Sequence, residues 1–267
     1  MMKILLVVLT FLASLFGYCS SKSTNTVTGE KQYVALSPQE EIVLGEKSLP
    51  EMERQYGRLG KNIKAENLVD RIGNKLSMIE VIKKTPYKFD FHVIDSDKTI
   101  NAFALPGGQV FITTGLLKRL KSEAQLAGVL GHEIGHVVAR HGAEHIAKQK
   151  LTQGLIIATD IATYDSRNPE KGRSRAIIAR MIGSMVNMKF GRSDELESDT
   201  LGLKFMSEAG YNPKAMIGVM EVLNEATKSG IMPEFFSTHP NPKNRIKKIE
   251  ENIKKLYPNG IPSNLES

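Results

Sequence analysis

Along most of the chain, apolar residues recur every three or four positions, the spacing that buries one face of a helix. Ser37-Pro38-Gln39-Glu40 reads as a capping box with proline at the first helical position, so a helix is expected over 38–56. Leu68, Ile72 and Leu76 predict a second helix over 65–79. The period then changes to two. Phe89, Phe91 and Val93 share one face of a strand expected over 88–94. A hairpin is expected next, with arms at 101–105 and 109–113 around the turn Pro106-Gly107-Gly108. Ser122-Glu123 opens a long helix that is expected to run past His145. Two apolar helical stretches follow, at 151–164 and 175–188, separated by a polar loop. They are either a helical hairpin closing the core, a lid, or a membrane-facing surface. Further helices are expected at 193–209, after Asn212-Pro213, and at 242–256. The pattern describes an α+β fold, mostly α-helical, with a small antiparallel sheet.

The first residues follow another rule. Lys3 precedes an apolar run from Ile4 to Tyr18, too short for an ordinary membrane span and suited to a signal peptide. Cys19, the only cysteine, stands at its end. Lipidation of Cys19, plain secretion and an uncleaved anchor all remain open, and Tyr18 is bulky for a lipidation signal. Residues 20–36 are polar and are expected to form a flexible tether, leaving 37–267 as the folded domain. With 267 residues, 41% hydrophobic and 24% charged, the chain suits one sizeable globular body. A net charge of +7 with scattered lysines points to solubility or an anionic membrane surface, and no basic-aromatic run suggests nucleic acid. A single cysteine excludes an intrachain disulfide and a thiolate-rich metal site.

The candidate chemistry lies in Gly131-His-Glu-Ile-Gly-His136. Residues four apart on a helix emerge from one face, so His132 and His136 can grip one Zn²⁺. Glu133 is placed to act as general base toward water at the metal. A third histidine on the same helix fails. His141 lies nine residues after His132, about half a turn away on a continuous helix. His145 has the same fault relative to His136. Both are expected to be structural. A carboxylate from another helix is the alternative. Glu195 and Asp199 are four apart, a ligand and a carboxylate able to hold a ligating histidine's ring. Glu197 points elsewhere and is expected to be solvated or ion-paired.

These residues, with Ser237-Thr-His-Pro240, resemble the HtpX-like, Oma-like and BepA-like zinc metallopeptidases, a family that includes the CAAX prenyl endopeptidases. The similarity covers roughly 38–256. It implies a zincin-like metalloprotease domain of the gluzincin type, with one zinc per chain held by His132, His136 and Glu195, and Asp199 in support. The transmembrane helices and tetratricopeptide repeats of some members are missing, so the chain is similar to a short lipoprotein form. Ser198 stands where alanine is common. The resemblance further implies an edge strand at Asn101, Ala102 and Phe103 that takes a protein or peptide substrate as an added strand. It makes His239 either an oxyanion donor or a ligand that displaces water, with Arg245 either a weaker second donor or simply half of an ion pair. The expected function is a metalloendopeptidase of the cell envelope acting in protein quality control. It would face the periplasm, lipid-anchored to the outer membrane, with no nucleic-acid partner. The alternatives are an envelope lipoprotein chaperone or assembly factor with latent protease activity, and a zinc-binding structural protein.

Overall fold

A computed structural model describes residues 2–56, 59–60, 62–163, 189–240 and 244–267. The apolar stretch at 175–188 and its preceding loop lie outside them. Helix α1, Met2–Ser20, packs along a later helix, α7, His141–Thr163. Among the described residues, no helix is long and apolar enough to cross a membrane.

The stretch 20–36, expected as a flexible tether, is instead built into the body. Strands β1 (Lys22–Thr24) and β2 (Lys31–Tyr33) pair antiparallel. Two buried amides dock them. Asn25 donates to the Val138 carbonyl at 2.9 Å, and Gln32 to the Ala139 carbonyl at 2.8 Å. Those carbonyls lie at a helix end, where the last turn has no partners of its own. Composition shows that residues 20–36 are polar, but not that a helix end needs their amides.

Helix α2 (Pro38–Tyr56) opens on the expected capping box. The Ser37 amide donates to Glu40 at 2.7 Å and the Glu40 amide to Ser37 Oγ at 3.3 Å. Helix α3 (Ile63–Ser77) buries Val69, Ile72 and Leu76, and the short α4 (Glu80–Lys83) follows. Strands β3 (Asp90–Ile94), β4 (Ala102–Ala104) and β5 (Gln109–Thr113) form a sheet in the order β3-β5-β4. The β4–β5 hairpin is antiparallel, while β3 joins β5 in parallel, so the sheet is mixed. Gly107 and Gly108 turn the hairpin at φ 93° and 109°, a region open to glycine. β4 is left at the edge. The short α5 spans Thr114–Leu117.

Helix α6 (Glu123–Val138) is buried along almost its whole length, with Ser122 capping its start through the Gln125 amide. It does not run on past His145 as expected. Arg140 takes φ 62°, a left-handed conformation that ends α6, and α7 begins at the next residue. The bend is held by Arg140 Nε on Glu41 Oε1 at 2.9 Å, while the Tyr87 hydroxyl donates to the other Glu41 oxygen at 2.7 Å. Helices α8 (Arg192–Glu208), α9 (Ala215–Lys228), α10 (Phe235–Thr238) and α11 (Arg245–Leu256) complete the described fold. The main core joins α3, the sheet, α6, α8, α9 and α11. A smaller cluster around Met52, Phe103, Phe111 and Phe190 lies on the other side of β4 and β5.

Candidate functional site

Helix α8 crosses α6 at very close range, and small residues permit it. A methyl group on Gly135 would stand 3.1 Å from the Ser198 carbonyl oxygen, and one on Gly202 would stand 3.0 Å from the His132 amide nitrogen. The pairs Gly131/Gly135 and Ser198/Gly202 are each one turn apart and face each other. The approach delivers Glu195 to the two histidines of α6. His132 and His136 turn their Nε2 atoms toward each other at 3.1 Å. Glu195 Oε1 lies 3.3 Å from His136 Nε2, and Oε2 lies 3.7 Å from His132 Nε2. Loop residue His239 is drawn in as well. One ligand atom from each of His132, His136, Glu195 and His239 lies within 4.8 Å of every other, and all four residues are buried.

Asp199 lies beside His132. The His132 Nδ1 lies 3.0 Å from Asp199 Oδ1. Arg245 donates to both Asp199 oxygens, from Nε and Nη2, each at 2.8 Å, and its Nη1 is 2.8 Å from Glu195 Oε2. Arg245 is therefore an anchor for two carboxylates rather than a free donor facing the cleft. Burial alone would raise the Asp199 carboxyl, but Arg245 and the His132 hydrogen bond outweigh it and hold it well below the carboxylate range. Burial pushes Glu195 well up, with Arg245 opposing and Asp199 adding repulsion.

Glu133, next to the first histidine, is fully buried. Burial pushes its carboxyl up to about 7, with His132 and Arg245 opposing and Glu195 adding to the rise. His239 Nε2 faces it, 3.5 Å from Oε1. The His239 ring stacks on Phe235 at 4.2 Å, and its Nδ1 lies 2.8 Å from the Thr238 hydroxyl. Burial, then the nearby His132 and Arg245, hold His239 neutral, its pKa well below the usual value. His136 is held neutral by burial and by its histidine neighbours. Neutral imidazoles are the form that binds metal.

Both oxygens of Glu195, both oxygens of Glu133 and His239 Nε2 are buried without a hydrogen-bond partner of good geometry. Each such group costs about 1–3 kcal/mol when left unmatched. A divalent cation held by Glu195 and the histidines would offset that cost at Glu195. A set of imidazoles and one carboxylate, with no thiolate, suits zinc.

Asn101, Ala102 and Phe103 lie in or beside β4, and all three are buried. Phe103 stacks on Phe111 at 4.9 Å, and the Asn101 side chain donates to Glu234 at 3.1 Å. These side chains serve the interior, which leaves backbone atoms for any contact made along the strand edge. His145 pairs with Asp194 at 3.2 Å, as a structural residue would. Three residues around the site were not singled out for it by the sequence: Phe190 was unread, and His141 and Glu197 were given other roles. Phe190 stacks on His136 at 4.0 Å. His141 meets His136, Nδ1 to Nδ1, at 2.9 Å, and its Nε2 meets Glu197 at 2.9 Å. Glu197 is ion-paired, as expected, but its partner is this histidine. The signal for His141 was present in its closeness to His136, and the assumption of a continuous helix hid it.

The sequence model of Peptidase family M48 matches residues 64–253. The Mitochondrial metalloendopeptidase OMA1 of Schizosaccharomyces pombe is 38% identical over 175 residues, covering 65% of this chain and 49% of that protein. The Beta-barrel assembly-enhancing protease of Escherichia coli (strain K12) is 31% identical over 199 residues, covering 73% of this chain and 40% of that protein. The Mitochondrial metalloendopeptidase OMA1 of Saccharomyces cerevisiae is 29% identical over 276 residues, covering 93% of this chain and 74% of that protein. The chain thus spans half or less of the length of the first two relatives.

Proposed function

Since the chain belongs to peptidase family M48, we propose that it is a zinc-dependent metalloendopeptidase of the cell envelope that acts in protein quality control. The observation that carries this reading is the convergence of His132, His136, Glu195 and His239 within 4.8 Å, with Glu133 beside them. His132, His136 and Glu195 would hold the ion. Bound zinc supplies Lewis acidity, polarising the scissile carbonyl and acidifying water. Glu133 takes a proton from the water that adds to the carbonyl carbon. The same carboxyl then gives that proton to the departing amine nitrogen as the C–N bond breaks. When the Thr238 hydroxyl donates to His239 Nδ1, His239 Nε2 carries the hydrogen and donates to the developing oxyanion. Asp199 and Arg245 keep His132 and Glu195 in register. The substrate lies extended along β4, an edge strand of the sheet, paired through backbone groups.

The envelope location rests on the apolar α1 and on the exposed Cys19 near its end, the residue that would carry a lipid on the periplasmic side of the outer membrane. Quality control is favoured by the relatives, one of which is named as enhancing β-barrel assembly. A second reading is an assembly factor with latent protease activity. It is favoured by His239, one ring nitrogen of which lies in the same cluster as the three ligand atoms and can close the fourth position.

Zinc titration combined with casein cleavage tests these readings. Tight binding of one zinc per chain with zinc-dependent cleavage supports the endopeptidase. Binding with no cleavage by the native chain, but cleavage by His239→Ala, supports the latent form. Absence of stoichiometric zinc binding removes both.

A further inference from the structure

The two histidines of α6 are each held from behind, and α8 supplies both supports. Behind His132 stands Asp199 directly. Behind His136 stands His141, and behind His141 stands Glu197. On α8, Glu197 is turned about 200° from Glu195, too far round to reach His136 itself. The bend at Arg140 swings His141 into that gap. We propose that His141, backed by Glu197, is the positioning residue for His136, fixing its ring so that Nε2 faces the cation; this inference rests on the metal-centre reading above.

One assignment of hydrogens satisfies every link. His136 Nε2 points at His132 Nε2 and Glu195 and needs its lone pair free. The hydrogen of His136 is then on Nδ1 and is donated to His141 Nδ1. His141 carries its own hydrogen on Nε2 and donates it to Glu197 Oε2. The chain runs from ligand to carboxylate with no atom used twice, the arrangement that raises ligand basicity and fixes orientation in metal sites. Phe190 lies flat on one face of the His136 ring, interplanar angle 24°, leaving the Nδ1 edge to His141. The neighbouring pair His145 and Asp194 joins the same two helices, touches no ligand ring through a nitrogen, and supplies a control.

The test is zinc affinity, measured by competition with a chromophoric chelator, alongside the melting temperature of the zinc-free chain. Glu197→Ala removes a partly exposed group, and His141→Phe keeps a ring while removing both nitrogens. Each is expected to weaken zinc binding about 10–100-fold. The double variant is expected to be no weaker than His141→Phe, because Glu197 acts on His136 only through His141. His145→Ala is expected to bind zinc as the native chain does. Native affinity in Glu197→Ala overturns the proposal, and so does a double variant whose loss is the product of the single losses. An equal loss in His145→Ala also overturns it, because helix packing then explains the effect. A native chain that binds no zinc overturns the metal-centre reading itself, whereas native binding with unchanged variants overturns only this inference.

Discussion

Glu133 makes no hydrogen bond of good geometry and is fully buried, and that isolation suits a proton carrier. A carboxylate tied to strong donors would be too weak a base. Glu133→Gln keeps shape and packing but cannot take a proton. The expected outcome is full zinc occupancy by elemental analysis, with casein cleavage reduced at least about 100-fold. His136→Ala removes a proposed ligand atom, so zinc occupancy itself is expected to fall. At this scale the sequence was most legible for residues on one regular element. His132 with His136, and Glu195 with Asp199, follow from four-residue spacing, and the structure brings all four together. His141 was misread for the converse reason. Its placement depends on one non-glycine residue adopting φ 62°, held by a glutamate far back in the chain. Spacing arithmetic presumes one helix and has no means of finding that bend.

Among the elements, the α6–α8 crossing decides where Glu195 goes. Gly202→Val places branched carbon where even a methyl group would stand 3.0 Å from the His132 amide and 2.9 Å from Met216 Cε. The helices are expected to separate, lowering stability by about 1–3 kcal/mol and weakening zinc binding. Urea denaturation and chelator competition measure the two effects. Undiminished zinc affinity would show that Glu195 does not depend on this contact. The start of α8 depends on Asp194, which accepts from the Gly191 amide at 3.0 Å and from His145. Burial would raise its carboxyl, but the His145 and Gly191 contacts outweigh burial and hold it below its ordinary value. Its stabilisation is complete above the unfolded aspartate pKa of about 4 and is lost as pH falls further. Asp194→Ala is therefore expected to cost about 1 kcal/mol at neutral pH, with the difference from the native chain narrowing in acid. Thermal melts across pH 3–7 would reveal it. The helices and the hairpin were readable from period and caps. The parallel addition of β3 was not, because alternation along one strand does not specify its neighbour's direction.

For the molecule as a whole, the N-terminal segment belongs to the folded body in a way that its composition concealed. Asn25 and Gln32 cap the end of the helix that carries His132 and His136, and they also bond to each other at 3.0 Å. Replacing both by alanine strands two helix-end carbonyls, at an expected cost of about 1–3 kcal/mol each; the midpoint of a urea melt reads it. The hairpin begins at Lys22, only Ser20 and Ser21 beyond Cys19. At most about 3.5 Å of reach per residue leaves very little slack. If Cys19 carries a lipid, helix α6 stands at a set height above the bilayer, like a blade on a fixed gauge. Chains emerging at the membrane surface would come within its range, and those free in the surrounding fluid would pass it by.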